Sequence, residues 1–378
     1  MGYVAVRGGG RAIEESLRLF ELERVSAGAG VEVDRIEACF PDAIDQIMGE
    51  SSLYAPRLAA LAFKQARGSV EEAVFLLRAF RSTLERTSET CVVDMEDMRV
   101  KRRISAAFKD VPGGQVLGAT RDYSHRLIDF SLARESDADA QEKAARLREH
   151  FAQADDVPRC DDRLPKVLDY LREQGLIPSC ADDDTPPADV TMASLEFPCA
   201  RSARLQTLAR GMTQAVEAFG YAAIRGYGPA HPTVGELRSG SVELCIDACD
   251  GAAEPDPLDA FYVGDIRVCE VESVFEVETD ASDPSGAGLS FDIGYGLVMG
   301  GTETKAVAMS VIDHCLELGD PRYPTQDEEF VLYHVDGVEA QGFISHLKLP
   351  HYVTFRSKLD TVRAAKDAKE RQDHAASV

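Results

Sequence analysis

The sequence predicts an α+β fold, with a helical N-terminal layer followed by a mixed α/β C-terminal domain. Three observations carry this expectation. Ser69-Val-Glu-Glu72 is a capping sequence that opens a run whose Val70, Val74, Leu77, Phe80 and Leu84 share one helical face. At 241–247, 262–279 and 290–299, apolar residues alternate with acids in the manner of strands, which gives them an edge-like character. From Thr302, a candidate cap, to Leu318 the helical spacing returns, with Met309, Ile312 and Leu316 as core.

Taken in order, Tyr3–Val6 reads as a short strand. Gly8-Gly9-Gly10 and a helix from about Arg11 to Val25 follow, with Ile13, Leu17 and Phe20 as its stripe. A Gly-rich turn before a helix can hold phosphate on its amides, or be no more than a tight turn; the full P-loop and dinucleotide patterns are absent. Residues 30–110 form a helical layer whose task is packing. Arg99–Arg103 sit on a predicted helix that Pro112-Gly113-Gly114 breaks. Residues 99–126 hold 7 bases against 2 acids. Arginine forks match phosphate oxygens, glycine amides allow close approach, and a tyrosine ring can stack on a base or sugar. Arg102, Arg103, Lys109, Gly113, Gly114, Gln115, Tyr123, His125 and Arg126 are therefore candidates for an anion pocket. A surface basic helix paired with the chain's many acids is the other reading of the same residues.

The organisation that follows is a mainly helical domain over 1–135 with the basic Gly-rich segment, an acidic variable linker region over 136–190, and a mixed α/β domain over 191–378 with a His-rich site. The linker shows helical spacing only near Arg163–Gly175, and 181–189 reads as exposed. Residues 199–219 are predicted helical. Arg225, Gly226, Tyr227 and Gly228 then form a turn with one cation and one ring, Arg238 lies nearby, and His231 before Pro232 reads as structural.

The densest chemistry lies at Gln326–Val353. Asp327, Glu328 and Glu329 precede a β-type run, Phe330–Val335, and His334, His346 and His351 follow. Carboxylates and imidazoles bind metals and move protons near neutral pH. A spacing of five puts His346 and His351 on one face of neither a helix nor a strand, and Pro350 disfavours helix at Leu349, so the pair sits in an irregular turn. Two imidazoles suit Zn²⁺ but fill half of a tetrahedral shell; the alternative is a pair of histidines hydrogen-bonded to backbone.

Composition bounds the possibilities. The 378 residues carry a net charge of −24, concentrated in 135–190 (15 acids, 7 bases) and 246–292 (13 acids, 1 base), which argues against nonspecific nucleic-acid binding. No apolar run approaches the ~20 residues of a membrane span. Neither a signal peptide nor a myristoylation signal is present, so a cytoplasmic location is the expectation. Nine dispersed cysteines argue against a disulfide framework, and Ala252 stands where a radical-SAM motif begun by Cys245 and Cys249 would place its third cysteine.

MGYVAVRGG, LRAFRSTL, RRISAAFKDVPGGQVLG, YSHRLIDFSLA, RGYGPAHP, GELRSG, IGYGLVMG, QDEEFVL and GFISHLKLPHYV, in this order, resemble the I-subunit family of the bacterial carbon–phosphorus lyase core complex. The resemblance covers both ends and the middle of the chain and is weakest in 135–190 and 246–290. It implies a role in phosphonate catabolism, within a two-fold assembly with G, H and J subunits. It also implies displacement of adenine from ATP by an alkylphosphonate to give a ribose 1-phosphonate 5-triphosphate. A purine nucleoside triphosphate glycosidase activity acting on ATP or GTP belongs to the same expectation, with Mg as a companion of the nucleotide. C–P cleavage falls to the J subunit. The family's zinc pair, shared with J, maps onto His346 and His351. Ser124, Pro229-Ala230 and Asp292-Ile293 depart from the family pattern, the last two with loss of a cation.

An oxocarbenium-like transition state calls for carboxylates and an acid for the leaving purine, hence Asp327, Glu328 or Glu329, with His125 as a second acid/base. The triphosphate calls for cations: Arg102, Arg103, Lys109, Arg126 and Lys348, with Arg225, Tyr227 and Arg238 as further candidates. A non-catalytic scaffold, or a free-standing metal-dependent phospho-sugar hydrolase, are the rival readings.

Overall fold

The computed structural model describes residues 9–28, 30–153, 163–177, 185–227, 231–247, 260–278 and 289–376. The first 81 residues supply α1 (Gly9–Arg24), α2 (Val33–Cys39), α3 (Pro41–Ser51), α4 (Pro56–Gln65) and α5 (Val70–Arg81). Proline opens α3 and α4, where its missing N–H has no intrahelical acceptor. At Ser69 the side chain accepts the Glu72 N–H, the predicted cap of α5. Ile44, Ile47, Met48, Ala59, Ala60, Val74 and Leu77 then close one core. Two expectations differ here. The Ile13, Leu17 and Phe20 stripe of α1 faces outward, as do Phe80 and Leu84. The expected strand at Tyr3–Val6 lies outside the described residues.

Arg99–Ile104 is a strand, β1, and not the predicted helix: its burial alternates, and it pairs antiparallel with β2 (Thr233–Asp247). With β3 (Ala260–Glu278) and β4 (Leu289–Met299) it forms an antiparallel sheet of order β1-β2-β3-β4. The basic run looked helical because straight-chain cations favour helix; pairing with β2 overrides that weak preference. Nor are β2 and β3 edge strands. Their acids, Glu236, Glu270 and Glu272, are buried in mid-sheet and matched by cations.

Helix α6 (Asp137–Ala152) escaped the sequence reading, and the helix expected near 163–175 shrinks to α7 (Asp169–Glu173). The segment 163–177 covers the charged face of the sheet. Here Arg103 donates to Glu236 at 2.6 Å and to the Pro165 carbonyl at 2.8 Å, while Lys166 reaches Glu270 at 3.0 Å and Arg172 reaches Glu272 at 2.7 Å. Burial alone would raise the Glu270 carboxyl; Arg238 and Lys166 more than offset that and hold it below its ordinary range.

The other face is apolar. Leu237, Cys269, Val271, Phe275 and Val298 pack on α10 (Glu303–Leu318), through Met309, Ile312 and Leu316 as expected. The contact is close because Gly294 and Gly296 lack side chains. A Cβ on either would lie 1.9 or 2.0 Å from the carbonyl oxygens of Ser310 and Ala306. Thr302 holds the N-cap position of α10 without a side-chain bond. Helices α8 (Arg201–Arg210) and α9 (Thr213–Ala222) flank it, in the span predicted as helical.

The chain ends in α11 (Glu328–His334), α12 (Gly337–His346) and α13 (Tyr352–Ala376). Phe330–Val335 is thus helical and not a β-type run; Asp327 and Asp336 cap α11 and α12 and start them where β-formers alone would not. Arg78 of α5 reaches Asp336 at 2.6 Å and the carbonyls of Glu50 and Arg210 at 2.9 and 3.2 Å, so the helical layer is stitched to this end of the chain.

Candidate functional site

Helix α12 ends on His346 and α13 begins one residue after His351, so the pair brackets a turn, as the spacing predicted. The two ring centroids lie 5.2 Å apart, with planes at 65°. His346 Nδ1 lies 2.9 Å from the Phe343 carbonyl and His351 Nδ1 lies 2.6 Å from the Leu349 carbonyl. A carbonyl only accepts, so both Nδ1 atoms carry the proton and both neutral rings keep a lone pair on Nε2. That is the tautomer metal-bound histidines adopt, with the second nitrogen held by a carbonyl. The donor set therefore fits two positions of a zinc shell. Among the described residues, no group of three or more His, Cys, Asp or Glu forms a metal site, so further ligands would come from outside those residues. Lys348 lies exposed in the same turn. His334 instead bonds its own helix, at the Phe330 carbonyl.

The basic segment is a braced loop. Gly113 and Gly114 turn with φ of 77° and 76°, and a Cβ on Gly113 would meet Leu164 at 2.5 Å. Gln115 locks the loop from inside, donating to the Phe108 and Lys109 carbonyls at 3.2 and 3.1 Å. Arg103, fully buried, donates to the Pro112 carbonyl at 2.6 Å. Arg102 is buried as well, held by Glu303 at 2.7 Å, Asp122 at 3.3 Å and the Leu117 carbonyl. Its guanidinium lies 5.9 Å from the Tyr123 ring centre. Tyr123, His125, Arg126 and Lys109 remain exposed.

The acids of the QDEE run divide. Asp327 caps α11, accepting the Phe330 N–H at 2.8 Å. Glu328 accepts from the Cys199 backbone N–H at 3.3 Å and from its thiol at 3.1 Å. Burial first, and then Glu328, push that thiol up to about 12, so it stays protonated at neutral pH. Glu329 is exposed and forms no ion pair among the described residues. No hydrogen bond or ion pair among the described residues joins these acids to the histidine turn or the basic loop.

A profile described as PhnI, bacterial phosphonate metabolism protein, matches residues 2–369. The chain belongs to the PhnI family. It is 41% identical to the Escherichia coli (strain K12) protein named alpha-D-ribose 1-methylphosphonate 5-triphosphate synthase subunit PhnI, over 98% of this chain and 99% of that one. A Rhizobium meliloti (strain 1021) protein of the same name is 41% identical over 99% and 96%. A Stutzerimonas stutzeri protein, putative C-P lyase subunit protein HtxH, is 42% identical over 97% and 96%.

Within this PhnI-family chain, several expected site residues serve the interior. Arg103 and Arg238 were expected to face a ligand; they face Glu236 and Glu270 inside the sheet layer instead. Their positions on paired strands, invisible while β1 read as a helix, decide this. The GELRSG and IGYGLVMG motifs are likewise packing devices. Arg225 is exposed on a π-helical turn (Ala223–Tyr227), while Gly228, Pro229 and Ala230 lie outside the described residues.

What the sequence reading missed is apolar. Leu127, Ile128 and Phe130 are each at least 79% exposed, directly after His125. Phe343, Ile344, Leu347, Leu349, Val353 and Phe355 are exposed around the histidine turn, and neither α12 nor α13 buries a residue. The signal was present: bulky apolar residues in YSHRLIDFSLA and GFISHLKLPHYV with no periodicity that would turn them to a core.

Proposed function

We propose that this chain works as the PhnI subunit of a carbon–phosphorus lyase core complex, in the step that displaces adenine from ATP with a phosphonate. The product would be α-D-ribose 1-methylphosphonate 5-triphosphate. One observation carries the reading: end-to-end similarity to proteins named as subunits of that synthase. The exposed apolar surface around a half-complete metal pair supports it, since a partner chain would cover the one and complete the other. We take the partners to be the G, H and J subunits in a two-fold assembly, with the zinc shared between His346, His351 and a J subunit.

Bound there, zinc would supply Lewis acidity and a fixed link between the chains. The protein's own groups would do the rest. Tyr123, His125, Arg126 and Lys109 line one exposed loop, where the cations would meet triphosphate oxygens and the ring a sugar or base. Arg102 and Gln115 hold that loop in shape from beneath. His125 is the proposed acid for the leaving purine. Of the three acids, Glu329 has its carboxylate free to stabilise positive charge on the sugar.

The test is co-expression of the full chain with the G, H and J subunits, followed by adenine release from Mg-ATP with methylphosphonate present. Adenine release that depends on this chain is expected. A stable assembly that forms without it and releases adenine at the same rate would overturn the reading. If release survives Asp327→Asn, Glu328→Gln, Glu329→Gln and His125→Gln unchanged, the chain is a scaffold, a role that the structural employment of Asp327 and Glu328 also fits.

A further inference from the structure

A cavity of about 510 Å³ lies where α5, α8, the 190–195 segment, α11 and the start of α12 meet. Its walls include Arg78, Arg210, Ser194, Tyr333, Asp336 and Glu339. In a chain of net charge −24, this lining holds as many arginines, Arg78 and Arg210, as carboxylates, Asp336 and Glu339. Burial lowers Arg81; Asp189 opposes that, and Arg78 and Arg86 are close enough to repel it.

Two of the carboxylates nearby are already committed, and the third, Glu339, acts on Arg210 across the cavity without a hydrogen bond to it among the described residues. Asp336 receives Arg78 on both oxygens, at 2.9 and 2.6 Å, and caps α12 through the Val338 and Glu339 N–H groups. Asp189 receives Arg86 at 2.6 Å together with the Thr191 N–H and hydroxyl. Arg210 is left over. Among the described residues, one of its five N–H donors is in use, toward the Val190 carbonyl at 3.3 Å, and its buried Nε has no partner. The Nε of Arg81 is buried and, among the described residues, without a partner too. Burial, followed by repulsion from Arg78, lowers Arg210 to about 10. Asp336 and Glu339 pull the other way without reversing the shift, so what Arg210 lacks is hydrogen-bond acceptors.

We propose that this cavity is a binding site for a phosphoryl group, carried by inorganic phosphate or by a small phosphate ester. A planar guanidinium offers two parallel N–H donors that match two phosphate oxygens. Arg210 keeps unused N–H donors beside the space, and a phosphoryl group offers them more acceptor oxygens than a carboxylate does. The Ser194 and Tyr333 hydroxyls at the rim extend the set of donors, and the volume lies within the range of small-ligand pockets and exceeds what a bare phosphate fills. The site shares no residue with the histidine turn or the basic loop, so it stands or falls independently of the reaction proposed above.

Calorimetric titration of the co-expressed complex with inorganic phosphate and, separately, ribose 5-phosphate tests this at constant ionic strength. Binding with a dissociation constant below about 1 mM is expected, weakened at least tenfold by Arg210→Gln. Equal affinity for the two probes identifies free phosphate as the source; tighter ribose 5-phosphate identifies a sugar phosphate. Absence of binding by both probes, or binding that Arg210→Gln leaves unchanged, overturns the site. Should Arg210→Gln fail to fold, Glu339→Gln decides. This exposed substitution removes a carboxylate that acts on Arg210 and should tighten phosphate binding severalfold, and unchanged affinity overturns the proposal.

Discussion

Arg103 shows how a residue's chemistry and its employment can part. Its charge and neighbours are those of a phosphate ligand, yet its guanidinium is buried against Glu236 and loop carbonyls. Glu236→Gln would leave that cation buried without its counter-charge and should cost about 3–5 kcal/mol in chemical denaturation. Exposed Arg225→Gln should stay within about 0.5 kcal/mol. Lys305 makes a second measurable case. It is buried and donates to the Ala209 and Gly211 carbonyls, and burial lowers it from 10.5 to about 8. Between those values the unfolded chain holds the proton more firmly, so unfolding takes up a proton and stability rises with pH from about 8 to 10.5. Denaturation midpoints across that window should climb less in Lys305→Met than in the wild type; equal slopes would exclude the lysine as the source. At this scale the sequence made the histidine turn legible, because Pro350 and a spacing of five exclude regular structure. The fates of Arg103 and Arg238 were hidden, since burial depends on strand partners distant in sequence, Glu236 at 133 residues from Arg103 and Glu270 at 32 from Arg238.

Elements were legible where local signals agreed with the final packing. Ser69 and the apolar face behind it gave α5, and alternation gave β3, β4 and the second half of β2, from 241 on. They failed where long-range pairing or a cap overrode composition. The basic run 99–103 became a strand because β2 needed a partner, and Phe330–Val335 became helical because Asp327 caps it. The role of glycine in β4 could not be read before the sheet and α10 were juxtaposed. Gly296→Val should now force α10 away from the sheet, and a loss above about 4 kcal/mol or failure to give soluble protein is expected. The substitution Gly114→Ala, at a glycine with no neighbour near its missing Cβ but with positive φ, should cost about 1 kcal/mol, by thermal denaturation.

The α+β class predicted for the whole molecule is what the structure shows, with helices first and an antiparallel sheet after. No helix among the described residues is long and apolar enough to cross a membrane. Large apolar side chains nevertheless face outward along α1, at 127–130 and around the histidine turn. A chain with such a surface should self-associate when expressed alone and elute as one defined assembly when its partners are co-expressed; a stable monomer without partners would contradict this. Zinc should follow the same pattern. Two imidazoles hold it weakly, so metal analysis should find zinc in the assembly and little in the lone chain, with His346→Ala and His351→Ala both depleting the assembly without unfolding it.

The contrast between α10 and α13 reaches beyond packing. In α10, 11 of 16 residues are buried between the sheet and the flanking helices, whereas α13 buries none of its 25. Backbone amides of α10 can trade their protons for deuterons only when the sheet layer opens as a unit, while those of α13 need nothing more than fraying of one helix. The chain thus carries its own clock: in deuterated water α13 should label within the first moments and α10 last. The arrival of a partner at the histidine turn should be read as a slowing of α13 while α10 keeps its rate.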